Sequence, residues 1–229
     1  MPATPAVHSR PGRSTRAVLW DLDGTLVDSE AQHWESWLLA LGPEGVPVTY
    51  EQFRRTFGMR NDAILSLWLG PGAEAARIRR IGDTKEVYYR DLVARSGLVP
   101  LPGAAQWVQD LHREGWRQAV ASSAPRANVE VVAKALGLDR YFDTLVAAED
   151  VTRGKPEPEV FLTAAARLGV PPPRCVVVED SPAGVDAARR AGTRSIGLGA
   201  PGFAPADVVV ASLTNLPRDI FDRLIDAAA

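Results

Sequence analysis

The sequence predicts an α/β fold: a parallel sheet covered by helices on both faces and interrupted after its first strand by an all-helical insertion. Three observations predict it. After Pro100 and Pro102, short Val-rich apolar runs alternate with helix-spaced segments, the pattern of parallel strands buried on both faces. One more such run, Ala17-Val18-Leu19-Trp20, stands alone near the start and ends in Asp21. Between the two, over 29–98, no segment has the character of a core strand.

The elements follow in order. Residues 1–15 hold Pro2, Pro5, Pro11 and Gly12 with His8, Arg10 and Arg13 and no apolar stretch. They are expected to form a disordered tail, not a secretory signal. Residues 17–21 form the first strand. From Ser29 the periodicity turns helical. Trp34, Trp37, Leu38 and Leu41 share a face over 29–41, and Ile64, Leu65, Trp68 and Leu69 over 60–69. Ile78, Ile81, Val87, Tyr88 and Leu92 do so over 74–96. Helix 103–114 then leads to strand 117–121, helix 126–137 to strand 144–147, helix 157–168 to strand 174–178, and helix 181–191 to strand 194–198. A short strand at 207–210 and a helix at 217–227 close the chain. The division is a doubly wound, Rossmann-like core of residues 16–28 and 99–229, with a helical block over 29–98.

With 229 residues, 46% of them hydrophobic, the chain can bury a sizeable core and carry an inserted subdomain. A net charge of −2 gives no broad basic surface, which argues against nucleic acid as the main partner. No run of about 18 apolar residues exists, so no membrane span is expected. The single Cys175 sits in an apolar run and reads as a small buried hydrophobe; a reducing, cytoplasmic location fits. Oligomeric state leaves no mark in the sequence.

Ligands of open parallel sheets bind beyond the carboxyl ends of the strands, and polar residues collect there. Asp21 and Asp23 follow the first strand and Ser122 and Ser123 the second. Lys155 follows the third, within Arg153-Gly154-Lys155-Pro156, and Glu179 and Asp180 close the fourth. Two carboxylates at the end of a buried strand are costly unless a cation or a reacting group offsets them. Gly24-Thr25 turns the chain and is expected to leave N–H groups for an anion. Asp21, Glu179 and Asp180 form a hard-oxygen set with no Cys or His nearby in sequence, a preference for Mg²⁺ over zinc. Taken singly, each feature has a simpler reading. Glu179-Asp180 suits the start of a helix capped by Ser181, Ser122-Ser123 suits an N-cap, and lysines are often exposed. Together they point to phosphoryl transfer. Asp21 attacks phosphorus and Asp23 handles protons. Mg²⁺ and Lys155 balance charge, and Ser122 orients the group.

This ordered set resembles the haloacid dehalogenase-like superfamily. The matching motifs are Asp21-Leu22-Asp23-Gly24-Thr25, Ser122, Lys155 in Gly-Lys-Pro-Glu-Pro, and Glu179-Asp180-Ser181-Pro182-Ala183-Gly184. The resemblance implies a nucleophilic Asp21 and an acid/base Asp23. It also implies a Mg²⁺ site made by the Asp21 carboxylate, the Asp23 carbonyl and the Asp180 carboxylate, and it makes 29–98 a helical cap that selects substrate. The fourth motif looks most like the β-phosphoglucomutase-like subgroup, which holds sugar-phosphate phosphatases and true mutases. His33 resembles the mutases' hinge histidine, Arg60 their substrate-phosphate arginine, although its segment is one residue shorter, and Lys85 their cap lysine. Gly24, Thr25, Ser123 and Arg126 complete the expected substrate contacts. Pro125-Arg126 stands where the mutases carry Lys-Asn, which puts the mutase phosphate contacts in doubt.

The leading expectation is a Mg²⁺-dependent phosphomonoesterase acting on a small phosphorylated metabolite, a sugar or polyol phosphate. The alternative is a hexose-phosphate mutase. A phospho-acceptor signalling module also uses Asp, Mg²⁺ and Lys on a parallel sheet, but Asp23 and the block 29–98 count against it. The six tryptophans could line an aromatic groove; the helical spacing of Trp34, Trp37 and Trp68 favours core packing.

Overall fold

The computed structural model of the protein describes residues 15–199 and 205–227. The expected tail over 1–15 lies, save for its last residue, outside them. Six parallel strands form one sheet in the order β3-β2-β1-β4-β5-β6. They are β1 (Ala17–Trp20), β2 (Arg117–Ala121), β3 (Thr144–Val146), β4 (Cys175–Glu179), β5 (Arg194–Leu198) and β6 (Val208–Val210). After β1 come four helices: α1 (Glu30–Leu41), α2 (Tyr50–Thr56), α3 (Asn61–Leu69) and α4 (Ala75–Ser96). The later crossovers contribute α5 (Ala104–Arg113), α6 (Arg126–Ala135), α7 (Glu159–Leu168), α8 (Pro182–Ala191) and α9 (Ile220–Asp226).

The strands alternate their faces because successive side chains point opposite ways. Val18, Trp20, Val120, Val176 and Val178 pack with residues of α5, α6 and α9. Ala17, Leu19, Ala119, Ala121 and Val177 pack with residues of α7 and α8. Trp20 is buried in the first layer, where its indole donates to Gln118 Oε1 at 2.8 Å. The insertion has a cluster of its own around Trp37, Phe53, Leu65 and Ile81, with Trp34 and Trp68 packed against it. Trp37 and Trp68 meet edge to face at 5.0 Å. The tryptophans of the insertion are therefore packing residues. Tyr89 and Val93 on α4 join the sheet's cluster instead and tie the insertion to the core.

Three differences from the expected elements have physical causes. Helix α2 escapes the periodicity because only Phe53 and Thr56 of its seven residues are buried; its one sequence signal is the Thr49–Gln52 capping box. Leu38 is 45% exposed, since the buried face of α1 runs through His33, Trp37, Ala40 and Leu41. Val87 is 58% exposed, because the buried stripe of α4 runs through Ile81, Lys85 and Tyr89. A charged residue occupies the position where an apolar stripe would be sought. No helix among the described residues is long and apolar enough to cross a membrane.

Candidate active site

β1 sits between β2 and β4, so its end is where the chain's crossovers change direction, the usual ligand crevice of such sheets. Asp21 continues the strand by one hydrogen bond, its N–H donating to the Val178 carbonyl at 3.0 Å. That places its carboxylate beside the end of β4. Lys155 reaches in from the loop after β3: its Nζ lies 2.5 Å from Asp21 Oδ1 and 2.6 Å from Glu179 Oε1. All three side chains are buried. Burial opposes the Lys155 charge, but the two carboxylates outweigh it and raise the ammonium's pKa. Burial pushes the Asp21 carboxyl up to about 7, against the pull of Lys155 and with a further push from Glu179.

Glu179 anchors this arrangement. Its second oxygen accepts from the Ser181 N–H at 2.7 Å and the Ser181 hydroxyl at 2.9 Å. Both of its oxygens are thus engaged by the protein. Glu179 thereby holds Lys155 and the start of α8. Gly184 is required by this packing, since a Cβ there would lie 1.8 Å from Glu179 Oε1.

Asp180 faces the turn after β1. The Thr25 hydroxyl donates to its Oδ1 at 3.3 Å, and a Cβ on Gly24, which sits at φ +82°, would come within 2.1 Å of its Oδ2. Burial, and then the charges of Glu179 and Asp21, push its pKa well above its ordinary value. No trio of His, Cys, Asp or Glu side chains among the described residues is set to hold a metal. The donors on offer are the Asp21 and Asp180 carboxylates and backbone carbonyls. That all-oxygen set, pressed against a glycine, fits a hard divalent cation and not zinc.

The turn itself differs from expectation. The Gly24 N–H donates to Val27 O at 2.8 Å and the Thr25 N–H to Leu22 O at 3.4 Å. These donors close the turn and are not left for an anion.

Asp23 takes its partners from the insertion and its entry. The Ser29 hydroxyl donates to its Oδ1 at 2.5 Å and the Tyr89 hydroxyl at 3.4 Å. His33 Nε2 lies 3.2 Å from the same oxygen but outside hydrogen-bond geometry. Burial pushes the Asp23 carboxyl up, yet His33, Ser29 and Lys85 outweigh it and bring it down to about 2. His33 stacks on Tyr89 with ring centres 4.1 Å apart, and its Nδ1 lies 2.8 Å from Lys85 Nζ. Lys85, expected as a substrate contact, is 1% exposed and held by His33 and Glu86. It lies one layer behind the cavity.

Asp21, Asp23, His33, Asn61, Glu86, Ser122 and Ser123 line a cavity of about 50 Å³ beneath the insertion. The Ser122 hydroxyl accepts from the Ala124 N–H at 3.1 Å. Arg60 is not among the lining residues; its Nη1 donates to the Ala148 and Val151 carbonyls, each at 3.3 Å. Arg126 also turns away, pairing with Asp150. Sequence reasoning missed Ser29, Asn61, Glu86 and Tyr89. Ser29 carried a signal that resembles an ordinary helix cap; the others lie in helices whose roles depend on long-range packing.

Comparison with known proteins fits this geometry. The haloacid dehalogenase-like hydrolase family matches residues 15–192. Hexitol phosphatase B of Escherichia coli (strain K12) is 34% identical over 217 residues, covering 89% of this chain and 95% of its own. Validoxylamine A 7'-phosphate phosphatase of Streptomyces hygroscopicus subsp. limoneus is 32% identical over 215 residues, covering 88% and 95%. Among solved structures, CbbY from Rhodobacter sphaeroides in complex with phosphate superposes with a TM-score of 0.80 at 29% identity, covering 89% of this chain and 96% of that one. With its strand-end carboxylates and lysine in the four expected motifs, and with most of its length matched, the chain belongs to the haloacid dehalogenase-like hydrolase family.

Proposed function

We propose that the protein is a Mg²⁺-dependent phosphatase that hydrolyses a small phosphorylated carbohydrate through a phosphoryl group carried on Asp21. The observation that carries this reading is the buried Asp21–Lys155–Glu179 ion set beside Asp180. An ammonium bridging two carboxylates at a strand end is costly to build for packing alone, and it suits a site that receives a phosphate dianion. The names of the phosphatases reported above support the carbohydrate class.

In this reading an Asp21 oxygen attacks phosphorus and the bond to the ester oxygen breaks. The leaving oxygen takes a proton from Asp23. Water then loses a proton to Asp23 and attacks the same phosphorus, which releases phosphate and restores the Asp21 carboxylate. Incoming phosphate raises the Asp23 pKa by like-charge repulsion, so the acid form arises when substrate is bound. Lys155 offsets charge on the transferring group, and Ser122 orients it. Mg²⁺, held by the Asp21 and Asp180 carboxylates and the Asp23 carbonyl, would supply charge neutralisation at the phosphoryl oxygens.

The helical block 29–98 acts as a cap. A cavity of about 50 Å³ is far below the roughly 300–1,000 Å³ usual for small-molecule sites, so the cap opens to admit substrate and closes over it. Phosphate release from a panel of sugar and polyol phosphates, with and without Mg²⁺, tests the reading. Release that needs Mg²⁺ and vanishes in Asp21→Asn is expected. Transfer between hydroxyls of a hexose phosphate without net release would assign a mutase instead.

A further inference from the structure

We propose that Asn128, on the core helix that follows Ser122, is the catch that holds the cap closed, a positioning residue acting through Glu86. Asn128 is 1% exposed and belongs to none of the four motifs. Both ends of its amide cross from core to cap. Its Oδ1 accepts from Arg90 Nη1 at 3.0 Å, and its Nδ2 donates to Glu86 Oε2. Arg90 and Glu86 lie one turn apart on α4, so a single amide grips that helix at two points.

The fit is chemically narrow. The group between a carboxylate and a guanidinium must donate on one side and accept on the other. A carboxylate at 128 would repel Glu86, an ammonium would repel Arg90, and an alkyl group would leave Glu86 Oε2 without its donor and Arg90 without its acceptor. Glu86 passes the grip inward. Its Oε1 accepts from Asn61 Nδ2 at 2.6 Å and from Lys85 Nζ at 2.9 Å. Glu86 and Asn61 both line the cavity that holds Asp21 and Asp23. Arg60, donating to the core carbonyls of Ala148 and Val151, closes a second flank of the same boundary. Asn128 is the more diagnostic of the two, because its role rests on side chains from both domains.

The proposal rests on the phosphatase reading for one readout only. Asn128→Asp keeps the Arg90 contact and sets a second carboxylate against Glu86. Its KM for the best substrate of the panel is expected to rise about tenfold with kcat within about threefold, since a smaller closed population weakens apparent binding while saturating substrate still drives closure. A general loss of structure would instead lower kcat with the active fraction. Hydrogen exchange of the backbone amides at 84–90 in the substrate-free protein is expected to quicken about tenfold. The double variant Asn128→Asp/Glu86→Gln rebuilds the pair in reverse. The new amide at position 86 donates to the new carboxylate at position 128, and its carbonyl still accepts from Lys85 and Asn61. Both readouts are expected to recover at least about threefold from those of Asn128→Asp. Unchanged exchange in Asn128→Asp, or a double variant no better than Asn128→Asp, overturns the catch. If the panel releases no phosphate, the phosphatase reading fails while the exchange arm still decides the catch.

Discussion

Two polar clusters meet beneath the cap and are built on opposite plans. Asp21, Lys155, Glu179 and Asp180 belong wholly to the core, on strand ends and the loops that follow them. Asp23, His33, Lys85, Glu86 and Asn128 draw partners from both sides of the boundary. The first cluster is fixed whenever the sheet is folded. The second is complete only with the insertion docked on the core. On the proposed reading, attack on phosphorus falls to a rigid scaffold and proton handling to a joint, which would couple the protonation machinery to the exclusion of water.

The largest expected effect tests the core cluster. Asp21→Asn keeps the shape and removes the nucleophile, so phosphate release should fall by on the order of 10⁴-fold. Retained release at a tenth of the original rate would end the aspartyl-phosphate reading. Lys155→Met comes next. It leaves the Asp21 and Glu179 carboxylates buried without their shared cation, so turnover should drop about 10²–10³-fold and urea unfolding should show a loss of about 3 kcal/mol. A variant that loses turnover but keeps full stability would mean that water already relieves those carboxylates, and the plan of a dry, rigid core cluster would fail.

The boundary cluster makes a smaller, pH-dependent prediction. Burial pushes the Glu86 pKa up, but Lys85 and Asn61 outweigh it and hold it below the usual carboxylate value. A depressed folded pKa means stability that is complete above the unfolded pKa and lost as pH falls through the folded one. Glu86→Gln should therefore cost about 2 kcal/mol near neutrality, and the gap to the unaltered protein should shrink as pH falls below about 4.5. A gap constant from pH 7 to pH 3 would show that Glu86 carries no charge worth holding and would weaken the contrast between the clusters.

The same contrast explains what could be read in the sequence. The core cluster was legible because each of its members ends an apolar strand or sits in a Gly-Pro turn, so local pattern and final position coincide. All six strands were found, and their boundaries moved by no more than a residue at either end. The boundary cluster was not legible. Lys85 and Glu86 occupy the buried stripe of α4, where periodicity seeks apolar residues, and the exposed Val87 beside them supplied a false one. Asn128 lies in a helix whose pattern reads as ordinary packing, and only the docked cap gives its amide a purpose. Residues whose role is set by where two domains meet leave no local period to detect.

The smallest expected effect concerns Arg126, which the sequence placed among the substrate contacts and the structure turns toward Asp150. Asp150 has other partners: Arg167 Nη2 donates to it at 2.6 Å and the Ala147 N–H at 2.8 Å. Removing Arg126 therefore strands no buried charge, and the pair it breaks is partly exposed, with a stability cost of about 0.5 kcal/mol. The cavity is lined by Ser123 and Pro125 but not by Arg126, so Arg126→Ala should leave KM for a sugar phosphate within about twofold. A tenfold rise in KM would mean that the guanidinium swings into the site when the cap opens. In that case the loop after β2 would belong to the moving boundary rather than to the rigid core, and the division between the two clusters would have to be redrawn through Ser122.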